Sequence, residues 1–149
     1  MTAFPDALPD PGFQPEFYTG VPTKRLLAWV VDSLLIGALT LLALPLSGFL
    51  GVFVLPGLFL TVGLVYRSVT IAKHSATPGM RLMAIEFRDS RGRRFEPVMA
   101  FLHSTGFTFS CVAFPVQILS VGLMLTGARA QGLTDHLLGT AAINRPAEV

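Results

Sequence analysis

Leu26–Tyr66 reads LLAWVVDSLLIGALTLLALPLSGFLGVFVLPGLFLTVGLVY, and its only ionisable side chain before the closing tyrosine is Asp32. One membrane-spanning helix needs about 20 predominantly apolar residues, so this run is long enough for two. Pro45, Ser47, Gly48 and Gly51 cluster near its middle, which is the chemistry of a turn. The spacing predicts a helical hairpin, with a first helix from about Arg25 to Leu46 and a second from about Leu50 to Ala72. Pro56 then falls in the first turns of the second helix, where a missing N–H costs little, with a kink as the alternative.

Composition points the same way. The chain has 149 residues, one domain's worth. Hydrophobic residues make up 52% and charged residues 13%, with a mean hydropathy of +0.62. Soluble domains carry roughly 25% charged residues. At this size the surface-to-volume ratio is too high for a water-soluble fold to hide so much apolar surface. The fold class expected is an all-α membrane protein. The single cysteine, Cys111, lies in an apolar run, which excludes an intramolecular disulfide and a CxxC pattern and leaves a small buried hydrophobe.

Working outward, residues 1–22 contain Pro5, Pro9, Pro11, Pro15 and Pro22 together with Asp6, Asp10 and Glu16. Proline at that density opposes regular structure, so a flexible extended tail is expected. Phe4, Phe13, Phe17 and Tyr18 could rest at lipid headgroups. The late, long apolar run that follows is unlike a signal peptide. Residues 23–144 would form the membrane domain and 145–149 a C-terminal tail.

The polar stretch from 73 to 97 includes Leu82–Arg88, then Asp89-Ser90-Arg91-Gly92, then Arg93-Arg94-Phe95. Asp opening a turn and Gly closing it suit a type I turn with a left-handed residue. A short β-hairpin over about 82–96, lying at the membrane surface, is expected; alone it would be too small to be stable. Val98–Ala128 is the last apolar stretch, interrupted by His103 and Pro115. One spanning helix from about Gly106 to Gly127 is preferred, with two half-length helices bending at Pro115 as the alternative.

Lys and Arg beside the spans set the orientation. Lys24 and Arg25 precede the first helix, the Pro45–Gly51 turn has no basic residue, and Lys73, Arg81, Arg88, Arg91, Arg93 and Arg94 follow the second. The N-terminus and the basic hairpin are therefore expected in the cytoplasm. Three crossings would put the C-terminus outside and four would return it. The Arg88, Arg91, Arg93 and Arg94 cluster is best explained by topology and anionic lipid rather than nucleic acid.

An ionised carboxylate in hydrocarbon costs about 2.5–3.5 kcal/mol on insertion scales. Asp32 lies six residues beyond Leu26, about 9 Å into the bilayer, and needs a partner, a proton or water. Arg25 is two turns earlier on the same face. Arg67 sits at similar depth on the antiparallel second helix, with Tyr66 beside it as a hydrogen-bond donor. An intramembrane centre of Asp32, Arg67, Tyr66 and Arg25, with Asp32 paired to Arg67, is the expectation. His74, His103 and His136 lack ligand spacing, so no metal is expected. No cofactor motif occurs, and Ser47, Ser68 and Ser104 show no nucleophile elbow, so an enzyme is not expected either.

Arg25-Leu-Leu-Ala28-Trp-Val-Val-Asp32 resembles the opening signature of the RDD family of integral membrane proteins, which is named for one arginine and two aspartates. Thr77-Pro78-Gly79-Met80-Arg81-Leu82 is similar to its central TPGKRLL-type segment. Gly132–Thr140 is similar to its closing LHDRLAGT-type segment and puts the second aspartate at Asp135. Met80, Thr134 and His136 replace the usual lysine, histidine and arginine. The resemblance implies a bacterial inner-membrane protein suspected of transport, with some members linked to cation–proton exchange.

Two functions follow as expectations, the first preferred because of the family resemblance and the second its alternative. In one, Asp32 gains and loses a proton as a cation passes; three spans make too narrow a bundle for a pathway, so a homo-oligomer is implied. In the other, the chain is a non-catalytic accessory or assembly subunit docked on a larger membrane complex through small residues such as Gly37, Ala38, Gly57 and Gly63.

Overall fold

A computed structural model describes residues 7–48 and 50–146. The first long helix, α1, runs Val21–Ala43 with Pro22 in its first turn. Proline suits that place because its fixed φ is helical and the N–H it lacks would have no intrahelical partner. A 3-10 turn at Pro45–Ser47 ends at Gly48 in the left-handed region. The second helix, α2, runs Leu55–His74 and again carries its proline, Pro56, in the first turn. The helical hairpin is thus present, with each helix displaced from its expected start by about four or five residues.

Ala28, Asp32, Ile36 and Thr40 are the buried positions along most of α1, and a four-residue step keeps them on one face. On the outer side Leu34, Leu41 and Leu42 are 71%, 66% and 72% exposed. Small and polar groups inward with leucines outward is the arrangement expected where the solvent is itself apolar. Pro15–Ser47 and Leu55–His74 are long and apolar enough to cross a membrane.

The third apolar stretch is two helices, α4 (Pro97–Val112) and α5 (Phe114–Thr126), bent by 116° at the break. The preferred single helix over 106–127 is therefore corrected to the bent alternative. Pro115 supplies the reason: it has no N–H to give the Cys111 carbonyl, and its ring would collide there if the helix continued. Ala113 leaves the helical region, and a new helix starts with the proline in its first turn. The bent pair returns the chain to the end it left, since the Leu133 N–H reaches the Ser120 Oγ of α5 at 2.9 Å.

At that end lie the short helices α3 (Pro78–Leu82) and α6 (Leu133–Leu138) and two strands, β1 (Ile85–Arg88) and β2 (Ala141–Asn144). The strands pair antiparallel from Ile85–Asn144 to Arg88–Ala141. The small antiparallel sheet is as expected, but its second strand comes from the C-terminal segment and not from 93–96. The Asp89 turn does form: Gly92 has φ of 71° and the Asp89 carboxylate accepts the Arg91 and Arg93 N–H groups at 2.9 and 2.8 Å. Beyond the turn only Arg93 to Glu96 precede α4, and Phe95 is drawn inward with its N–H on the Ser75 Oγ at 2.8 Å. Little chain is left for a return strand.

The N-terminal segment is also more ordered than expected from its prolines. Leu8 and Tyr18 pack on Ala141 and Ile143 of β2. The Tyr18 hydroxyl donates to the Pro9 carbonyl at 2.7 Å. Asn144 donates to the Glu16 and Thr19 carbonyls at 2.7 and 2.9 Å. The extended tail is thus corrected, for residues 7–20, to a segment anchored on the sheet through Leu8 and Tyr18, with much of its length, Phe13 included, exposed. Phe4, Pro5 and Asp6 lie outside the described residues, as do 147–149 of the C-terminal tail.

Candidate functional site

The Thr77-Pro78-Gly79 stretch brings α3 onto α1. Thr77 stands as the extended N-cap and accepts the Met80 N–H. Pro78 then opens the helix. At Gly79 a Cβ would lie 2.3 Å from the Ala28 carbonyl and 2.9 Å from the Asp32 carboxyl group, so only glycine permits this approach. The reward is a fixed position for Asp32, which is 1% exposed. Its Oδ1 accepts the Tyr66 hydroxyl at 2.8 Å and the Gly79 N–H at 2.9 Å, and its Oδ2 accepts the Thr77 hydroxyl at 2.5 Å.

Tyr66 is therefore the donor the sequence implied, but the Asp32–Arg67 ion pair does not form. Asp32 takes part in no ion pair among the described residues. The Arg67 guanidinium instead rests 4.5 Å from the centre of the Phe107 ring of α4, an electrostatically favourable seat for a cation. The carboxylate oxygens were already engaged by neutral donors from α2 and α3.

Arg25 pairs elsewhere, with Asp135 of α6 at 2.6 Å. Asp135 is fully buried. Its remaining partners are the Gly132 N–H at 3.0 Å, the Thr140 hydroxyl at 3.0 Å and His103 Nε2 at 2.9 Å. Burial works to raise the pKa of Asp135; the Arg25 charge and the His103 contact together overcome it and hold the carboxyl well below its usual range. His103, absent from the expected centre, lies 4.3 Å from the Phe87 ring centre and 5.6 Å from that of Phe95. The signal was available: a lone histidine inside an apolar run needs a buried partner.

A third buried acid was missed. Glu86 on β1 is fully buried, bonded by Arg88 and flanked by Arg94 at 3.5 Å and Arg145 at 3.7 Å. Arg93 meets Asp89 at 3.2 Å. Of the expected basic cluster, Arg88, Arg93 and Arg94 thus hold acids of this chain, and only Arg91 offers its side chain outward without such a contact. No group of three His, Cys, Asp or Glu side chains that could hold a metal occurs among the described residues.

The family model for RDD matches residues 19–139, most of the chain. The chain belongs to the RDD family. No curated protein and no solved structure gives a significant match. In this RDD chain Arg25 and Asp135, the residues whose surroundings resemble the signature arginine and second aspartate, are one contact across 110 positions of sequence. The first aspartate makes a separate centre. RDD proteins are membrane proteins, which accords with the apolar α1 and α2.

Proposed function

We propose that this RDD chain is a non-catalytic accessory or assembly subunit of a larger complex in the bacterial inner membrane, with its N-terminus in the cytoplasm. The observation that carries this reading is the state of Asp32. A cation–proton exchanger needs a carboxylate with a free face for the ion or the proton. Here three donors occupy Asp32, and the charged side chains lining the adjacent cavity besides it are the cations Arg25 and Arg67. That arrangement supports a structural carboxylate that joins α1, α2 and α3. Asp135 has four donors and supports the same reading.

Two outward positions suit contact with other helices. A Cβ at Gly37 or Gly57 would meet nothing within 4 Å, so another backbone can approach there. Gly63 is spoken for, since a Cβ placed there would already touch the Ile36 side chain at 3.6 Å.

The test has two arms. In proteoliposomes under a pH gradient, sodium, lithium or potassium flux should not exceed that of protein-free vesicles. A wild-type flux lost in Asp32→Asn at equal protein content would overturn the proposal in favour of exchange. In mild detergent the chain should co-purify in constant ratio with a second membrane protein; migration solely as monomer or homo-oligomer would count against a subunit.

A further inference from the structure

The two aspartates leave some buried polar groups at this end of the molecule unexplained. Helices α1 and α4 each pack on α2, and between them, under α3 and β1, lies a cavity of about 60 Å³. Ser104 lines it, is 0% exposed, and its Oγ has no hydrogen-bond partner. A buried hydroxyl left in that state destabilises the fold. Arg67 lines it too. Its guanidinium has five N–H donors; it rests on the Phe107 ring and feels the Asp32 carboxylate beyond ion-pair range, and it joins none of the ion pairs among the described residues. Donors without acceptors therefore converge on one small space.

We propose that this cavity binds a compact oxyanion of the phosphate type, a role that goes beyond the subunit reading. Such a ligand brings only acceptors, which is what Ser104 and Arg67 lack. The guanidinium fork matches phosphate oxygens two at a time. A metal cation is disfavoured by Arg25 and Arg67, because Asp32, the carboxylate that lines the cavity, already has its three donors. A space of about 60 Å³ leaves room for the handful of heavy atoms in a phosphate group. Trp29 lines the cavity and is 46% exposed, so the space reaches the outer surface beside that indole. Arg67 is seven residues from the end of α2, about 10 Å along the helix, a depth that a phospholipid headgroup can meet from the side. Free phosphate from the aqueous end would satisfy the same donors.

Trp29 is the only tryptophan in the chain, so its emission reports on the cavity. Purified full-length protein in neutral detergent is titrated with inorganic phosphate, with a short-chain phosphatidylglycerol and with a short-chain diacylglycerol, at constant ionic strength. A saturable change is expected with a phosphate-bearing titrant and none with diacylglycerol. Saturation by inorganic phosphate identifies a free ion; saturation by the phospholipid alone identifies a headgroup. Ser104→Ala and Arg67→Gln should each weaken binding about tenfold or more, while Lys73→Gln leaves it unchanged. Ser104→Ala removes an unpaired hydroxyl, so its melting temperature should hold or rise even as binding falls. No saturable change with either phosphate compound, an equal response to diacylglycerol, or wild-type affinity in both cavity variants would overturn the proposal.

Discussion

Asp135 and Asp32 are both buried acids within one end of the same small molecule, and the fold makes each tolerable by a different means. Asp135 faces a full charge: Arg25 compensates it, with His103, Thr140 and Gly132 filling the other acceptor positions. Asp32 has no cation in ion-pair range among the described residues and rests on the dipoles of two hydroxyls and one backbone N–H. The first arrangement is strong but exposes both partners to loss, since removing either leaves a charge behind. The second has no such partner, and depends on how closely α3 can approach α1. The contrast also divides the labour of assembly. Arg25–Asp135 joins the first helix to the last, while Asp32 ties α1 to α2 and to the connection that follows it.

The largest effect should come from breaking the charged centre. Asp135→Ala leaves the Arg25 side chain, only 15% exposed, against a fully buried pocket with no counter-charge, and removal of one partner of such a pair costs about 3–5 kcal/mol. Arg25→Gln combined with Asp135→Asn should recover much of that loss. Denaturation in mild detergent measures both. If Asp135→Ala costs less than the changes at the Asp32 centre, the proposed difference between the two centres is wrong.

Next in size is Gly79→Ala. Its Cβ would meet the Ala28 backbone carbonyl, which cannot swing away as a flexible side chain could. Overpacking typically costs about 1–3 kcal/mol, and a backbone obstacle puts this change at about 3. The loss should be accompanied by separation of α3 from α1. Crosslinking between cysteines placed at Ala28 and Met83 would fall. Undiminished crosslinking with wild-type stability would remove close approach as the basis of the Asp32 centre.

These particulars show how much the sequence made legible. The hairpin and the charged residues were readable because lipid imposes simple rules on length and polarity, and Arg25, Asp32 and Asp135 stood out through the family signature. Tyr66 was also found, since it neighbours Arg67 at the depth of Asp32. The pairing was not readable, because depth along a helix ranks Arg67 and Arg25 without saying which way either turns. Phe107 and Asp135 decided that, and both are brought in by later segments. Local signals were available for α3: threonine, then proline, then glycine is a helix start with room beside it. The partner of β1 lay more than fifty residues away in the C-terminal segment, and no local turn chemistry could have named it. The Asp89 turn was correctly read even though the hairpin built on it was not.

Thr77→Val is the next smaller test. It removes the N-cap of α3 and one of three donors to Asp32 while preserving shape. Losing a cap costs about 1 kcal/mol, and a hydrogen bond to a charged acceptor contributes about 1.5–3; the two share one hydroxyl, so about 2 kcal/mol is expected. Thr77→Ser keeps the hydroxyl and should retain most of the stability. Equal losses in Val and Ser variants would assign the effect to packing.

The smallest effect is the pH dependence of the charged centre. Asp135 has a folded pKa held below its unfolded value of about 3.9. A depressed carboxyl stabilises the fold fully above the unfolded pKa, and that contribution is lost as pH falls from there toward the folded value. Each pH unit crossed in that window removes at most about 1.4 kcal/mol. The stability difference between wild type and Asp135→Asn should therefore be constant from pH 7 to about 5 and narrow by about 1 kcal/mol between pH 4 and 3. Replacing Arg25 by glutamine takes away the charge that most opposes burial and leaves the His103 contact, so the same comparison in that background should lose much of its slope. A gap that stays flat to pH 3 in the presence of Arg25 would mean that the arginine does not set the ionisation of its partner, and the charged centre would then differ from the neutral one in geometry alone.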